Sequence, residues 1–187
     1  MTEMVVVKEK VDDALGLKAA IQLLLDDRAI RDKLCIYQRS MDRCDPDLGY
    51  EVFWDDCKIY VGTWYQGVSG KEFVDSCMLA HPTFFLSSHQ ITNTLVKING
   101  DRAGSESYAK PYFLHAREDG TFALELQCCR YNDQWEKRNG EWRIVKRVVS
   151  MEGDAVIENV GPQGKTDSFD CDERFDDPSY AIFQPFA

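Results

Sequence analysis

The chain has 187 residues, 44% hydrophobic and 29% charged, with a formal net charge of −10. That is enough for one domain with a sizeable core and too little for two. Residues 152–187 hold nine acidic residues against Lys165 and Arg174, which leaves the preceding 151 at only −3. A near-neutral body with an acidic tail argues against a nucleic-acid surface, which needs a basic patch. No run approaches the roughly 18 apolar residues of a membrane span.

Residues 12–43 are expected to form a helix, because Ile30, Leu34, Tyr37 and Met41 recur at helical spacing while Arg28, Arg31 and Asp32 lie off that stripe. Asp45-Pro46 restarts a short second helix, a helix cap followed by proline at the first helical position, expected to end near Trp54. CKIYVGTWYQG (57–67) reads as a strand and turn. SGKEFVDSCMLAH (69–81) reads as a third helix, capped by Ser69 and stopped before Pro82. The period then changes to two, with strands expected at 87–98, 103–117, 121–137 and 141–156. NGD (99–101), EDG (118–120) and RNGE (138–141) supply the turns. Helices followed by an antiparallel meander define an α+β fold, its helices gathered on one face of a curved sheet. The domain is expected to span 12–156. Residues 157–187 form an acidic C-terminal arm in which Tyr180, Ile182, Phe183 and Phe186 are possible anchors.

Seven cysteines (Cys35, Cys44, Cys57, Cys77, Cys128, Cys129, Cys171) make an odd count with no CxxC pair. Seven free thiols in a reducing cytoplasm are the expectation. The opening MTEMVVVKEKVDD, with only a short apolar run before charges take over, is not expected to act as a signal peptide. His81, His89 and His115 are too scattered to propose a metal site.

The chemistry-bearing candidates are few. Alternation along the strand puts His89, Ile91, Asn93 and Leu95 on one face, which suits a pocket wall. His89 is then either a satisfied core histidine or a catalytic base. Asp42 closes the first helix, where the macrodipole favours cations, so either solvation or a histidine partner accounts for it. Tyr37 lies five residues earlier, about 140° around an ideal helix. Arg147 alternates with Val145, Val149 and Met151. It either holds a substrate oxygen or a leaving anion, or snorkels to solvent. Tyr108 and Tyr112 share a face of their strand, where core tyrosines with a satisfied hydroxyl are the ordinary case.

AIRDKLCIYQRSMDRCD with FWDD, GTWYQGVSGKEFV, SSHQITNTLVKINGDRAGSESY and YNDQWEKRNGEWRIVKR occur in that order along residues 20–152. Together they resemble the SnoaL-like branch of the nuclear-transport-factor-2-like superfamily, near the members related to hexachlorocyclohexane dehydrochlorinase, scytalone dehydratase and bile-acid 7α-dehydratase. The resemblance implies a cone-shaped barrel of about three N-terminal helices on a curved, mixed, mostly antiparallel sheet. It places a catalytic pair on Asp42 and His89, and substrate contacts on Tyr37, Asn93 and Arg147; Tyr108 is a further expected substrate contact. It implies a lyase acting on a small hydrophobic aromatic or alicyclic substrate with no metal or cofactor, assembled as a homo-oligomer (dimer or trimer). Fold does not fix function, and an isomerase or cyclase and a non-catalytic ligand-binding module are the alternatives.

Overall fold

The computed structural model describes residues 14–161 and 177–183. Helix α1 (Ala14–Asp42) buries the expected stripe of Ile30, Leu34, Tyr37 and Met41. Its outer side carries the ion pairs Arg28–Asp32 and Arg31–Asp27 at i,i+4 spacing. Residues 12 and 13 of the expected helix lie outside the described residues. Helix α2 (Pro46–Tyr50) follows Asp45 and has proline in its first turn. It lies close against its neighbours at Gly49, where a Cβ would stand 2.7 Å from Ser40 Oγ and 2.9 Å from a Val74 methyl. The helix stops four residues short of Trp54. Phe53 and Trp54 instead open strand β1 (Phe53–Val61), where Phe53 pairs with Ile144 and the Trp54 indole N–H donates to the Glu136 carbonyl at 3.0 Å. Long-range pairing has overridden local helix propensity there.

Strand β2 (Tyr65–Val68) returns antiparallel to β1 and leads into α3 (Gly70–Ala80). The capping box is complete. The Ser69 hydroxyl accepts from the Glu72 N–H at 3.2 Å, and the Glu72 carboxylate accepts from the Ser69 N–H at 2.8 Å. A 3-10 turn (His81–Thr83) ends the helical part.

The sheet has eight strands: β3 (Leu86–Ser88), β4 (Ile91–Asn99), β5 (Arg102–Ala109), β6 (Tyr112–Ala116), β7 (Phe122–Arg138) and β8 (Glu141–Val160) join β1 and β2. Its main path runs β2-β1-β8-β7-β5-β4, with β6 pairing β7 and β3. Among the described residues only β1 and β8 pair in parallel, so the sheet is mixed and mostly antiparallel, as expected. The β7–β8 hairpin turns on Asn139 and Gly140, whose φ angles of 52° and 84° are the two positive values of a tight primed turn.

Two expected strands are divided, each for a local reason. Pro111 has no N–H for a ladder, and it separates β5 from β6. His89 and Gln90 separate β3 from β4 because the backbone of His89 is taken by α1. Its N–H donates to Asp42 Oδ1 at 2.8 Å, and its carbonyl accepts from Gln38 Nε2 at 2.7 Å. Beyond this break, Ile91 pairs with Ala109 but Thr94 pairs with Ser107, so β4 carries one extra residue. That bulge reverses the facing. Val96 and Ile98 pack on the core, and Asn93 and Leu95 turn to solvent.

The core is closed by Trp135, Trp142 and Ile144 against α1 and α3. The Trp142 indole donates to Asp26 at 2.9 Å and the Trp135 indole to Ser105 at 2.9 Å. Helix α4 (Pro178–Phe183) brings part of the arm back to the last turn of α1. Arg43 pairs with Asp177 at 2.7 Å, Arg39 donates to Ser179 at 2.7 Å, and the Tyr180 hydroxyl donates to Asp45 at 2.9 Å. Of the expected anchors, Tyr180 is engaged, Ile182 and Phe183 are largely exposed, and Phe186 lies outside the described residues.

The expectation of seven free thiols fails at Cys44, which is disulfide-bonded. Cys35, Cys57, Cys77, Cys128 and Cys129 are free, and Cys171 lies outside the described residues. The thiol count therefore no longer argues for a reducing compartment. Among the described residues no helix is long and apolar enough to cross a membrane.

Candidate active site

A cavity of about 200 Å3 lies between α1, α3 and the sheet, and both His89 and Tyr37 line it. That volume exceeds the roughly 150 Å3 that holds a benzene molecule, so a single substituted ring fits.

Asp42 and His89 meet at its wall. His89 Nδ1 stands 2.6 Å from Asp42 Oδ1, and the same carboxylate accepts the His89 backbone N–H at 2.8 and 3.0 Å. A carboxylate only accepts, so Nδ1 carries a proton, and in the neutral ring Nε2 carries the lone pair. No group among the described residues bonds that Nε2. These bonds also account for an aspartate at an unfavourable helix end: its charge is neutralised by donors from a residue 47 positions away, not by its own helix. The His89 side chain is 6% exposed.

Tyr37 packs edge-on to His89 at 6.5 Å and to Tyr131 at 5.7 Å. Burial pushes both tyrosine hydroxyls well above the ordinary phenol range, with the neighbouring Arg147 opposing it in part. They remain protonated donors. Tyr37 and His89 line the cavity, whereas Asp42, the last residue of α1, stands outside the lining and acts on the cavity through His89.

Three expected substrate contacts are placed elsewhere. The cavity lining does not include Asn93, Arg147 or Tyr108. Asn93 is turned out by the bulge in β4. Tyr108 is 39% exposed, because Ser105, Ser107 and Ala109 are the inward residues of β5. Arg147 is fully buried behind the wall, with Nε and Nη2 on Asp133 at 2.7 and 2.8 Å. Its guanidinium lies over the Tyr37 and Tyr131 rings at 4.2 and 4.5 Å. It touches the cavity only through those two rings.

Sequence reasoning missed several lining residues: His81, Phe84, Phe113, Glu125 and Tyr131. Alternation along β7 offered a signal for Tyr131, since Cys129, Tyr131, Asp133 and Trp135 are all buried. His81 had no comparable signal, because a histidine at a helix end says nothing about which way its ring turns. Glu125 accepts from Gln127 at 2.7 Å and lies 3.0 Å from His115 Nε2, giving the cavity lining a carboxylate. The cavity thiols Cys77 and Cys129 are pushed up to about 12 and about 11 by burial. They stay protonated and are poor nucleophiles. Among the described residues no group of three or more His, Cys, Asp or Glu side chains is arranged for a metal ion.

The family model for the SnoaL-like domain matches residues 22–148. The chain belongs to the SnoaL-like domain family. No curated protein matches the sequence. Its fold is similar to solved structures at low identity. A hexachlorocyclohexane dehydrochlorinase (LinA, type 2) superposes with a TM-score of 0.68 at 17% identity, covering 78% of this chain and 99% of its own. A scytalone dehydratase candidate from Novosphingobium aromaticivorans gives 0.63 at 19% identity, covering 79% and 99%. A Kribbella flavida protein gives 0.65 at 18% identity, covering 71% and 95%. At such identities the likeness establishes the NTF2-like fold and leaves the chemistry to the site.

Proposed function

We propose that this SnoaL-like protein is a lyase in which His89 removes a proton from carbon and a neighbouring group leaves. The observation that carries this reading is the His89–Asp42 pair, with its free Nε2 on the wall of a largely apolar cavity. The proton passes from carbon to His89 Nε2, and the C–H electron pair becomes a new double bond. The leaving group departs with its bonding pair. Asp42 fixes the tautomer and neutralises the imidazolium as it forms. A departing hydroxide takes the proton back from His89 and leaves as water, whereas a departing chloride needs none. Elimination changes no overall oxidation state, so proton transfer by side chains is sufficient. Tyr37, as a buried hydroxyl donor, is placed to bond an oxygen of the substrate. The dehydrochlorinase and dehydratase among the similar structures are consistent with this class.

The test is a panel of hydroxylated and chlorinated six-membered-ring compounds, with products followed by mass spectrometry for loss of water or HCl. His89→Ala should lower turnover by about 10²-fold or more, the ordinary range for loss of a general base. An unchanged rate per folded molecule would sink the proposal. A product of unchanged mass would replace the lyase with an isomerase.

A further inference from the structure

His81 is the second imidazole in the cavity, and the elimination scheme does not use it. It sits where α3 hands over to the 3-10 turn, 7% exposed, packed by Phe84 and Phe113 at centroid distances of 5.8 and 6.0 Å. Its ring stacks on His89 at 5.1 Å and an interplanar angle of 19°. The Nδ1 atom is 3.0 Å from the Met41 carbonyl. A carbonyl can only accept, so Nδ1 carries the proton, and in the neutral ring Nε2 is bare. No group among the described residues bonds Nε2, although the ring lines the cavity.

We propose that His81 is a substrate-binding residue whose Nε2 accepts a hydrogen bond from a hydroxyl group on a single-ring substrate lying against His89. The proposal rests on reading this cavity as the active site, and it narrows the substrate to a cyclic alcohol or phenol. A bare halide or ketone has no proton to give to this nitrogen.

A purely structural histidine would account for the Met41 bond and the stack. It would give no use to the second ring nitrogen, which has no donor among the described residues and is open to a ligand or water in the cavity. Protonation does not change this. Burial, and then the adjacent His89, hold His81 down to about 4, with only the Met41 carbonyl and Asp42 opposing. The ring therefore remains a neutral acceptor at neutral pH. The two stacked imidazoles present two lone pairs to one small cavity. His89 takes the proton on carbon, and His81 holds the hydroxyl.

The experiment uses full-length protein labelled with 15N-histidine, whose three histidines give a spectrum simple enough to assign. Phenol and toluene are titrated separately as matched single-ring probes. Phenol should bind on the order of tenfold more tightly than toluene, the worth of one neutral hydrogen bond. It should also move the His81 Nε2 resonance, which toluene leaves in place. His81→Phe keeps an aromatic ring for the stack and should equalise the two affinities. The wild-type titration decides the matter even where that variant fails to fold. Equal affinities, a shift confined to His89 Nε2, or binding of neither probe would each overturn the proposal. No turnover is measured, so a protein that is not a lyase can pass this test and an active lyase can fail it.

Discussion

Asp42→Asn isolates what the carboxylate does. In the parent, Asp42 accepts three bonds from His89, at 2.6, 2.8 and 3.0 Å, two from the backbone N–H and one from Nδ1–H. An amide of the same shape has one accepting oxygen, and its NH2 faces a donor at the other position. With the amide oxygen in the Oδ1 place, both His89 donors keep an acceptor, so the tautomer is retained and only the longer N–H contact is lost. What disappears is the charge that neutralises the imidazolium, so the cavity keeps its lone pair but has a weaker base. Turnover should fall by about 10²–10⁴-fold, the range for general-base catalysis. At least one charge-assisted hydrogen bond also goes, worth roughly 1.5–3 kcal/mol, which lowers the melting temperature by about 4–10 °C in a domain of this size. Turnover on the panel of ring compounds, thermal melting and the 15N spectrum of His89 measure all three effects on one preparation. If the variant turns over at the parent rate per folded molecule, or its His89 has moved the proton to Nε2, the reasoning about the pair is wrong.

Because Asp42 and His89 act as one unit, the Asp42→Asn/His89→Ala double variant should be little slower than either single variant; multiplied losses in steady-state kinetics would show separate roles. His81 contributes a pH dependence with a definite sign. Its pKa is lowered from 6.5 to about 4 on folding, so the unfolded chain binds more protons between those values and stability falls as pH drops through that window, by about 3 kcal/mol in all. Urea unfolding at pH 7 and pH 4.5 should lose this component in His81→Phe, and an identical pH dependence in the two proteins would contradict it. Arg147→Ala should destabilise by about 3–5 kcal/mol, since it strands the buried Asp133 carboxylate, while Arg147→Met combined with Asp133→Leu should recover most of the loss in denaturant titrations. A small effect of the single variant would mean that the pair is hydrated. Alkylation of the unfolded chain without reductant should label Cys35, Cys57, Cys77, Cys128 and Cys129 and leave Cys44 unmodified by peptide mass mapping; a labelled Cys44 would refute its disulfide.

Much of the architecture is a matter of local pattern, and that is why it can be read from the chain alone. The Ile30–Leu34–Tyr37–Met41 stripe has to face one way on any helix. Ser69 with Glu72 closes its own cap, and Asn139-Gly140 turns its own hairpin, because every partner lies within a few residues. Asp42 and His89 were also legible as candidates, one from its misfit with the helix dipole and the other from its place before an apolar strand. Their joining was not. His89 leaves the strand because its N–H and carbonyl are claimed by Asp42 and Gln38, 47 and 51 positions away, and no local period encodes that. Alternation placed Asn93 on the pocket face, and one extra residue in β4 sends it to solvent. Arg147 has a register-mate, Asp133, only once β7 and β8 have paired, and the pair then draws the guanidinium out of the cavity. The tautomer of His81 depends on a carbonyl 40 residues earlier. Periodicity and caps are short-range and fix which faces are apolar. Hydrogen-bond partners, bulges and the disulfide at Cys44 arise from chain segments meeting in space, so the chemistry of the cavity was decided by the tertiary structure.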